Sequence, residues 1–339
     1  MASTRTAPEP GLLAAARVGD EQAFVQLTAP HRQALHLHCY RMLGSLHDAD
    51  DALQETMLRA WRGIDRFQPN APLAAWLYRI ATNVCLRLIQ QRRRRDAANV
   101  DSHLEPYPDR LLEGLPAPDL GPDAIAVERE SIGLAFVTAM QLLPPKQRTV
   151  LVLRDVLGWS AREVADQLDD SVPAVNSALQ RGRERLERER LEGTMTRIHA
   201  PRSRSAEARV MERFQQAWAA VDIPALTALL ADDALLTMPP EAARFEGREQ
   251  VGMFFATAPM DGHLDRIKLI PARANGQPAL AAYAQEDTGS DFRAYGVMVF
   301  AINNDRIDWI VGFPQKPELF TRLGLPTQLT HSAARELIA

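Results

Sequence analysis

The sequence predicts a multidomain chain that is all-α through its first half and α+β in its last third. Three observations carry this prediction. Apolar residues recur at spacings of three and four over 11–67, 73–95 and 144–189; an acidic, proline-rich stretch interrupts the helical part; and beyond Val210 two helices precede five strand-like runs. At 339 residues there is room for two or three domains, each with a core of its own. The 46% hydrophobic and 24% charged fractions are those of a soluble globular protein, and no apolar run approaches the ~20 residues of a membrane span. The opening MASTRTAPEPG lacks the apolar core of a signal peptide, so a cytoplasmic protein without a membrane partner is expected. Cys39 and Cys85 have no nearby cysteine and no metal-spaced histidine, which predicts buried free thiols and no metal or cofactor. The formal charge is -4, but it is strongly segregated along the chain.

Asp20 is placed to cap a helix containing Phe24 and Leu27, and Leu35, Leu37, Cys39, Met42 and Leu43 supply a further apolar set. Asp48 is read as opening the clearest helix, whose apolar side carries Ala49, Ala52, Leu53, Met57, Ala60, Trp61 and Ile64. Its other side shows Asp51, Gln54, Glu55, Arg59 and Arg62, a pattern that suits either a solvated surface or a partner. The loop QPNAP breaks the helix, and a new one begins near Leu73. From Trp76 to Arg95 there are six arginines and no acid, interleaved with Trp76, Tyr78 and Asn83. Guanidinium groups pair with phosphates and aromatic rings stack on unpaired bases, so this run points to nucleic acid.

Composition then reverses. Residues 96–130 hold nine acids, two arginines and five prolines, and read as an extended linker that cannot bury enough apolar surface to fold alone. Its charge would shield the basic face before it. A helix is expected from about Asp123 to Leu143. In the stretch Pro144 to Glu189, a first helix begins at Pro145 and stops at Gly158, Ser160 and Glu163 form a capping box, and Asp169, Asp170 and Ser171 make a turn. The third helix buries Val175, Ala178, Leu179, Gly182 and Leu186 and offers Asn176, Ser177, Gln180, Arg181 and Arg183 outward. Two short helices and a polar turn, the second helix carrying amides and guanidiniums, suit a major-groove reader; a plain helical hairpin with a solvated face has the same pattern.

The motifs DADDALQETMLRAW, PLAAWLYRIATNV with its arginine cluster, LLPPKQRTVLVLRDVLGWSAREVADQL and SVPAVNSALQRGRERL occur in this order. Over residues 11–190 the chain resembles a sigma factor of the sigma-70 family, extracytoplasmic-function group. The resemblance implies two all-α sigma domains, region 2 at 11–95 and a region 4 helix-turn-helix at 131–192, joined by the 96–130 linker. It implies that Asp51, Gln54 and Glu55 grip the beta-prime clamp helices of core RNA polymerase, with further contacts to the beta subunit. Trp76, Tyr78, Arg79, Asn83 and Arg87 would meet the minus-ten promoter element. Ser171, Asn176, Ser177, Gln180, Arg181 and Arg183 would meet the minus-thirty-five element. The chain departs from the family at Arg87, where an acid is usual, and at Gln90, where a base is usual, which bears on how minus-ten DNA is read.

About 150 residues follow region 4. Val210, Phe214, Ala217, Trp218 and Val221 mark an amphipathic helix, and Asp222 and Pro224 start a second that ends near Asp232. Strand-like runs follow at 234–238, 264–272, 278–286, 292–302 and 306–313, with a hairpin turn at Asn303, Asn304 and Asp305. Helices followed by a curved antiparallel sheet make an α+β cone. The order of elements, with MPP and EGREQVGMFF, resembles the SnoaL-like, nuclear-transport-factor-2-like fold over 207–326, which implies an apolar pocket and a possible small ligand. Trp218, Met238, Tyr283, Tyr295, Asp308 and Trp309 are the pocket candidates; each aromatic is equally accounted for as core. From Ala231 to the end, ten Lys+Arg stand against fourteen Asp+Glu, so DNA binding is not expected there. Two functions fit. One is a promoter-directing initiation factor, not itself an enzyme, modulated by the C-terminal domain; the other is a ligand sensor or small-molecule enzyme fused to a DNA-binding module.

Overall fold

A computed structural model describes residues 10–68, 72–95, 104–113, 131–191, 204–239, 241, 243–287 and 290–330. These fall into two compact units. One is built from residues up to 95 and from Leu111 to Leu191, the other from Leu104–Arg110 together with Arg204 onward.

The first unit is all-α. Helices α1 (Pro10–Arg17), α2 (Glu21–Leu43), α3 (Leu46–Gly63) and α4 (Leu73–Arg95) pack around Leu35, Tyr40, Met42, Ala52, Leu77 and Val84. Asp20 caps α2 by accepting the Ala23 amide at 3.0 Å, and Gly44 ends it at φ 75°. Helix α3 starts two residues before the expected Asp48, because Ser45 Oγ accepts the Asp48 amide at 3.2 Å and serves as the cap. Cys39 and Cys85 are buried free thiols, and burial together with the Cys39 thiol pushes the Cys85 pKa up.

Helix α5 (Leu134–Leu142) is the described part of the helix expected from Asp123; residues 123–130 lie outside the described ones. Helix α6 (Pro145–Leu151) continues as a π-helical turn over Val152–Val156, and Gly158 turns the chain at φ 68°. Helix α7 (Ala161–Leu168) carries the expected capping box, with Ser160 and Glu163 each satisfying the other's backbone amide. Asp169 leads through a left-handed turn into α8 (Val172–Leu191). The buried Arg148 guanidinium donates to the Met42 carbonyl of α2 and to Gln141 Oε1, both at 2.6 Å, which fixes α6 against α2.

The second unit is α+β. Helices α9 (Arg204–Ala219), α10 (Ile223–Ala228), α11 (Arg248–Thr257) and α12 (Pro317–Leu323) accompany a seven-stranded sheet. The strands are β1 (Leu230–Met238), β2 (Ala243–Glu246), β3 (Ile267–Ala274), β4 (Gln277–Ala284), β5 (Phe292–Asn303), β6 (Arg306–Pro314) and β7 (Gln328–Leu329), in the order β2-β1-β6-β5-β4-β3 with β7 beside β5. The sheet is mixed, not antiparallel throughout, because β1 runs parallel to β6. Turn residues mark hairpins, whereas the direction of a distant pair leaves no local signal. The second helix ends at Ala228, so Asp232 lies in β1, and Val221 sits in an exposed turn at φ 54° instead of on the apolar face of α9. Asn304 and Asp305 form the expected hairpin turn; Asn275-Gly276 forms a second one between β3 and β4. Phe214, Trp218, Phe255 and Phe300 meet at centroid distances of 5.1 to 5.9 Å and form the centre of the core.

The expected linker is partly a component of this unit. Tyr107 is fully buried; its amide donates to Asn275 Oδ1 at 2.8 Å, and its carbonyl accepts the Asn275 amide at 2.7 Å. Pro108 bridges Ala274 on the edge strand β3. The segment lacks the apolar surface to fold alone, but its prolines and tyrosine are buried once a sheet edge is provided.

Replacing Ser160 by alanine removes the hydroxyl that caps α7 and should cost about 1 kcal/mol, read as a lower urea midpoint with an unchanged slope.

Candidate functional site

Three side-chain surfaces stand out on the first unit. On α3, Asp51, Gln54 and Leu58 are exposed on one face, with Glu55 half-buried beside them. Glu55 accepts from Arg59 at 2.8 Å and from Arg87 at 3.2 Å, and the hydrogen bond from Arg59 is the largest influence holding its carboxyl below the ordinary range. Asp51 lies 3.7 Å from His47. Leu58 was not singled out in the sequence, although it lies seven residues beyond Asp51 on the same helical face; it is 48% exposed, unusual for a leucine this close to a core.

The second surface is on α4. Arg79, Asn83 and Arg87 are exposed at four-residue spacing, one stripe along the helix. Trp76 is half-buried against Phe67, with centroids 5.1 Å apart. Tyr78 points elsewhere: it is buried between His38 at 5.1 Å and Trp159 at 5.9 Å, so its ring is not offered for stacking on a base. Arg87 reaches Glu55 on α3, and Arg92 pairs with Asp48 and donates to the Leu43 carbonyl. Two of the six arginines in this run, Arg87 and Arg92, are therefore engaged with the protein itself. The side chains of Arg93, Arg94 and Arg95 lie outside the described ones.

The third surface is the outer side of α8. Ser171 begins the helix and accepts the Ala174 amide at 3.3 Å, so its hydroxyl is a cap. Asn176, Gln180, Arg181 and Arg183 are exposed. Ser177 is half-buried and accepts from Arg181 at 2.6 Å; Gln180 donates to Glu184 at 2.9 Å. Arg183 is held by both oxygens of Asp155, at 2.6 and 2.9 Å, which fixes the orientation of its guanidinium plane. Adenine can pair with such amides and guanine or phosphate with such guanidiniums.

In the second unit an apolar cavity of about 230 Å³ lies between the sheet and α9 and α11. Trp218, Met238 and Tyr295 line it, joined by Glu241, Phe254 and Phe255, which the sequence reading passed over. Tyr283, Asp308 and Trp309 are not among its walls. Ala282 faces the cavity, so strand alternation turns Tyr283 to the opposite side of the sheet. There its ring packs on Phe320 at 4.9 Å, its hydroxyl donates to the Pro326 carbonyl at 2.8 Å, and burial pushes its pKa up to about 12. Trp309 is buried and donates to Thr237 Oγ1 at 3.0 Å, which joins β6 to β1. Among the described residues Glu241 is the one carboxylate in the lining and is exposed; neither Asp308 nor His263, the other groups that could carry a proton, lines the cavity.

The same unit holds the linker with charged groups. Glu105 pairs with Lys316 at 3.1 Å, and Arg110 donates to the Thr321 carbonyl at 3.0 Å and to that of Arg322. Asp109 accepts from the Gly276 amide at 2.7 Å and from Arg273 at 3.2 Å. Burial outweighs these partners and raises its pKa. Arg273 also reaches Glu207 on α9 at 3.4 Å, so one guanidinium clips the linker to the first helix of the C-terminal domain. The sequence shows the NG turn that makes this possible, but nothing in it says what docks there.

Comparison with known proteins decides the assignment. The chain matches Sigma-70 region 2 over residues 27–95, Sigma-70 region 4 over 133–186 and the SnoaL-like domain over 211–310. It is 40% identical over 315 residues to the ECF RNA polymerase sigma factor SigG of Mycobacterium tuberculosis, covering 89% of this chain and 84% of that protein. The chain belongs to the extracytoplasmic-function sigma factors. SigW of Bacillus subtilis is 32% identical over 183 residues, covering 50% of this chain and 90% of SigW. The crystal structure of the Mycobacterium tuberculosis extracytoplasmic-function sigma factor SigJ shares the fold, with a TM-score of 0.60 at 23% identity over 88% of this chain and 99% of that one. This sigma factor therefore directs transcription, and its relatives over the full span are sigma factors, not enzymes. Among the described residues, no helix is long and apolar enough to cross a membrane and no group of three or more His, Cys, Asp or Glu is placed to hold a metal.

One titrating group lies under the α4 surface. His38 is fully buried with Nε2 3.0 Å from Thr82 Oγ1, and burial, then the charge of Arg41, lowers its pKa from 6.5 to about 3. A depressed folded-state pKa contributes stability that is whole above 6.5 and is lost as pH falls towards 3, at up to about 1.4 kcal/mol per pH unit. Urea melts of the wild type should weaken between pH 7 and 4 more steeply than those of His38→Gln; parallel profiles would count against a neutral buried imidazole.

Proposed function

We propose that this sigma factor is regulated through its own linker, which the C-terminal domain grips and must release before transcription can start. The observation that supports this most directly is the docked segment Leu104–Arg110, with its buried Tyr107 and the clip at Arg273. The linker joins the two promoter-binding regions, so a domain that fixes it controls how freely they take up positions on polymerase. Polymerase binding falls to the exposed α3 face, where Asp51, Gln54 and Glu55 meet the beta-prime clamp helices around Leu58, with further contacts to the beta subunit. Trp76, Arg79 and Asn83 read the minus-ten element on α4, with Arg87 joining that helix to the polymerase face through Glu55. Asn176, Gln180, Arg181 and Arg183 read the minus-thirty-five element. Each DNA module is weak alone, and polymerase makes the second contact effectively intramolecular.

Asn275→Ala strips the buried Tyr107 amide of its acceptor at a cost of about 1–3 kcal/mol. With core polymerase and a cognate promoter, this variant and Arg273→Ala should give several-fold more run-off transcript than the wild type and be cleaved faster by protease within residues 104–110. Faster cleavage with unchanged transcription would sink the regulatory reading. Separately, Gln180→Ala or Arg183→Ala should remove discrimination between matched and scrambled minus-thirty-five elements while polymerase binding persists, each good base contact contributing about 1–3 kcal/mol.

A further inference from the structure

The cavity in the C-terminal domain has walls that define a ligand. Trp218, Phe254, Phe255 and Met298 make it apolar, and among the described residues no Lys, Arg or His lines it, so an anion entering would lose its hydration without gaining a counter-charge. Glu241, at the exposed edge, accepts hydrogen bonds but is solvated, so a cation would gain little there. A cavity of ~150 Å³ accepts a benzene ring. The 230 Å³ here takes a substituted ring or a small fused pair. Gly312 keeps the wall thin, since a Cβ there would stand 3.2 Å from Met238 Cγ.

The same wall continues into the linker's anchor. Phe313 and Pro314 at the end of β6 line the cavity; Gln315 follows at φ 53°, and Lys316, the next residue, holds Glu105 of the linker at 3.1 Å. Gln315 has left-handed backbone, strained for a residue with a side chain, and its amide donates to the Tyr295 carbonyl at 2.8 Å, again on a cavity-lining residue. The wall and the anchor are therefore separated by a single constrained residue.

We propose that this cavity is an effector site for an uncharged, ring-bearing small molecule with one hydrogen-bond donor directed at Glu241, and that its occupancy is transmitted through the end of β6 to the linker. An empty cavity leaves its lining without contacts on one side. A ligand supplies them, stiffens Phe313 and Pro314, and holds Lys316 against Glu105. Occupancy thus tightens the linker's grip. The transmission step rests on the linker reading above, whereas the binding site stands on the cavity alone.

The test uses the full chain with 2-naphthol as probe and 2-naphthoate, the same ring system carrying a negative charge, as comparison. Equilibrium dialysis should show saturable 2-naphthol binding, about tenfold weaker for 2-naphthoate and lost in Ala282→Phe, which fills the cavity. If that variant does not fold, Ala258→Trp at the exposed rim serves instead. Hydrogen exchange of the peptide spanning 104–110 should slow at least about threefold with 2-naphthol in the wild type and be unaffected in Lys316→Ala. Absence of saturable binding, or undiminished binding to a folded cavity-filled variant, overturns the site. Saturable binding with unchanged exchange at 104–110 overturns the transmission. Exchange of the Tyr107 amide at an unprotected rate without any ligand overturns the linker reading and leaves the site standing.

Discussion

A backbone amide buried without a partner is costly, and the second unit is arranged around meeting that requirement for a piece of chain from the other side of region 4. Tyr107 enters the fold only because Asn275, in left-handed backbone at the β3–β4 turn, offers both an acceptor for its amide and a donor for its carbonyl. Once that pair is made, the ring of Tyr107 is removed from water, Pro108 bridges Ala274 at the end of β3, and Asp109 is brought beside Arg273 and the Gly276 amide.

The first unit shows a different use of charge. The basic character of α4 suggests a surface given over to phosphate, yet Arg87 is turned to Glu55 and Arg92 to Asp48. These exposed or half-exposed pairs contribute little to stability but determine direction. By tying α4 to α3, they hold the two helices in a common frame. Arg183 and Asp155 do the same for α8. A fixed guanidinium loses less freedom on reaching a base than a mobile one.

Most of the architecture was legible because it rests on local chemistry. The cap at Asp20, the box at Ser160 and Glu163, and the turns at Gly158 and Asn304 each depend on residues within a few positions of one another. The departures arose where distant residues decide. Ser45 took the cap that Asp48 suggested, β1 ran parallel to β6, and Tyr78 went to the core against His38 and Trp159. Of the six pocket candidates, Trp218, Met238 and Tyr295 line the cavity, whereas Tyr283, Asp308 and Trp309 do not. For Tyr283 strand parity decides: Tyr283 and Ala282 are neighbours in sequence, and only one of them can face the cavity. The docked linker was least legible, since its composition describes what it cannot do alone and says nothing of the edge that receives it.

The clip at Arg273 has a topological consequence. Asp109 and Glu207 converge on one guanidinium, and all of region 4 lies in the chain between them. The helix-turn-helix is therefore an excursion from the C-terminal domain, a large loop whose two ends are pinned together by non-covalent bonds. Closing such a loop costs conformational entropy that grows only slowly with its length, so the few contacts at Arg273, Asn275 and Lys316 suffice to keep it closed.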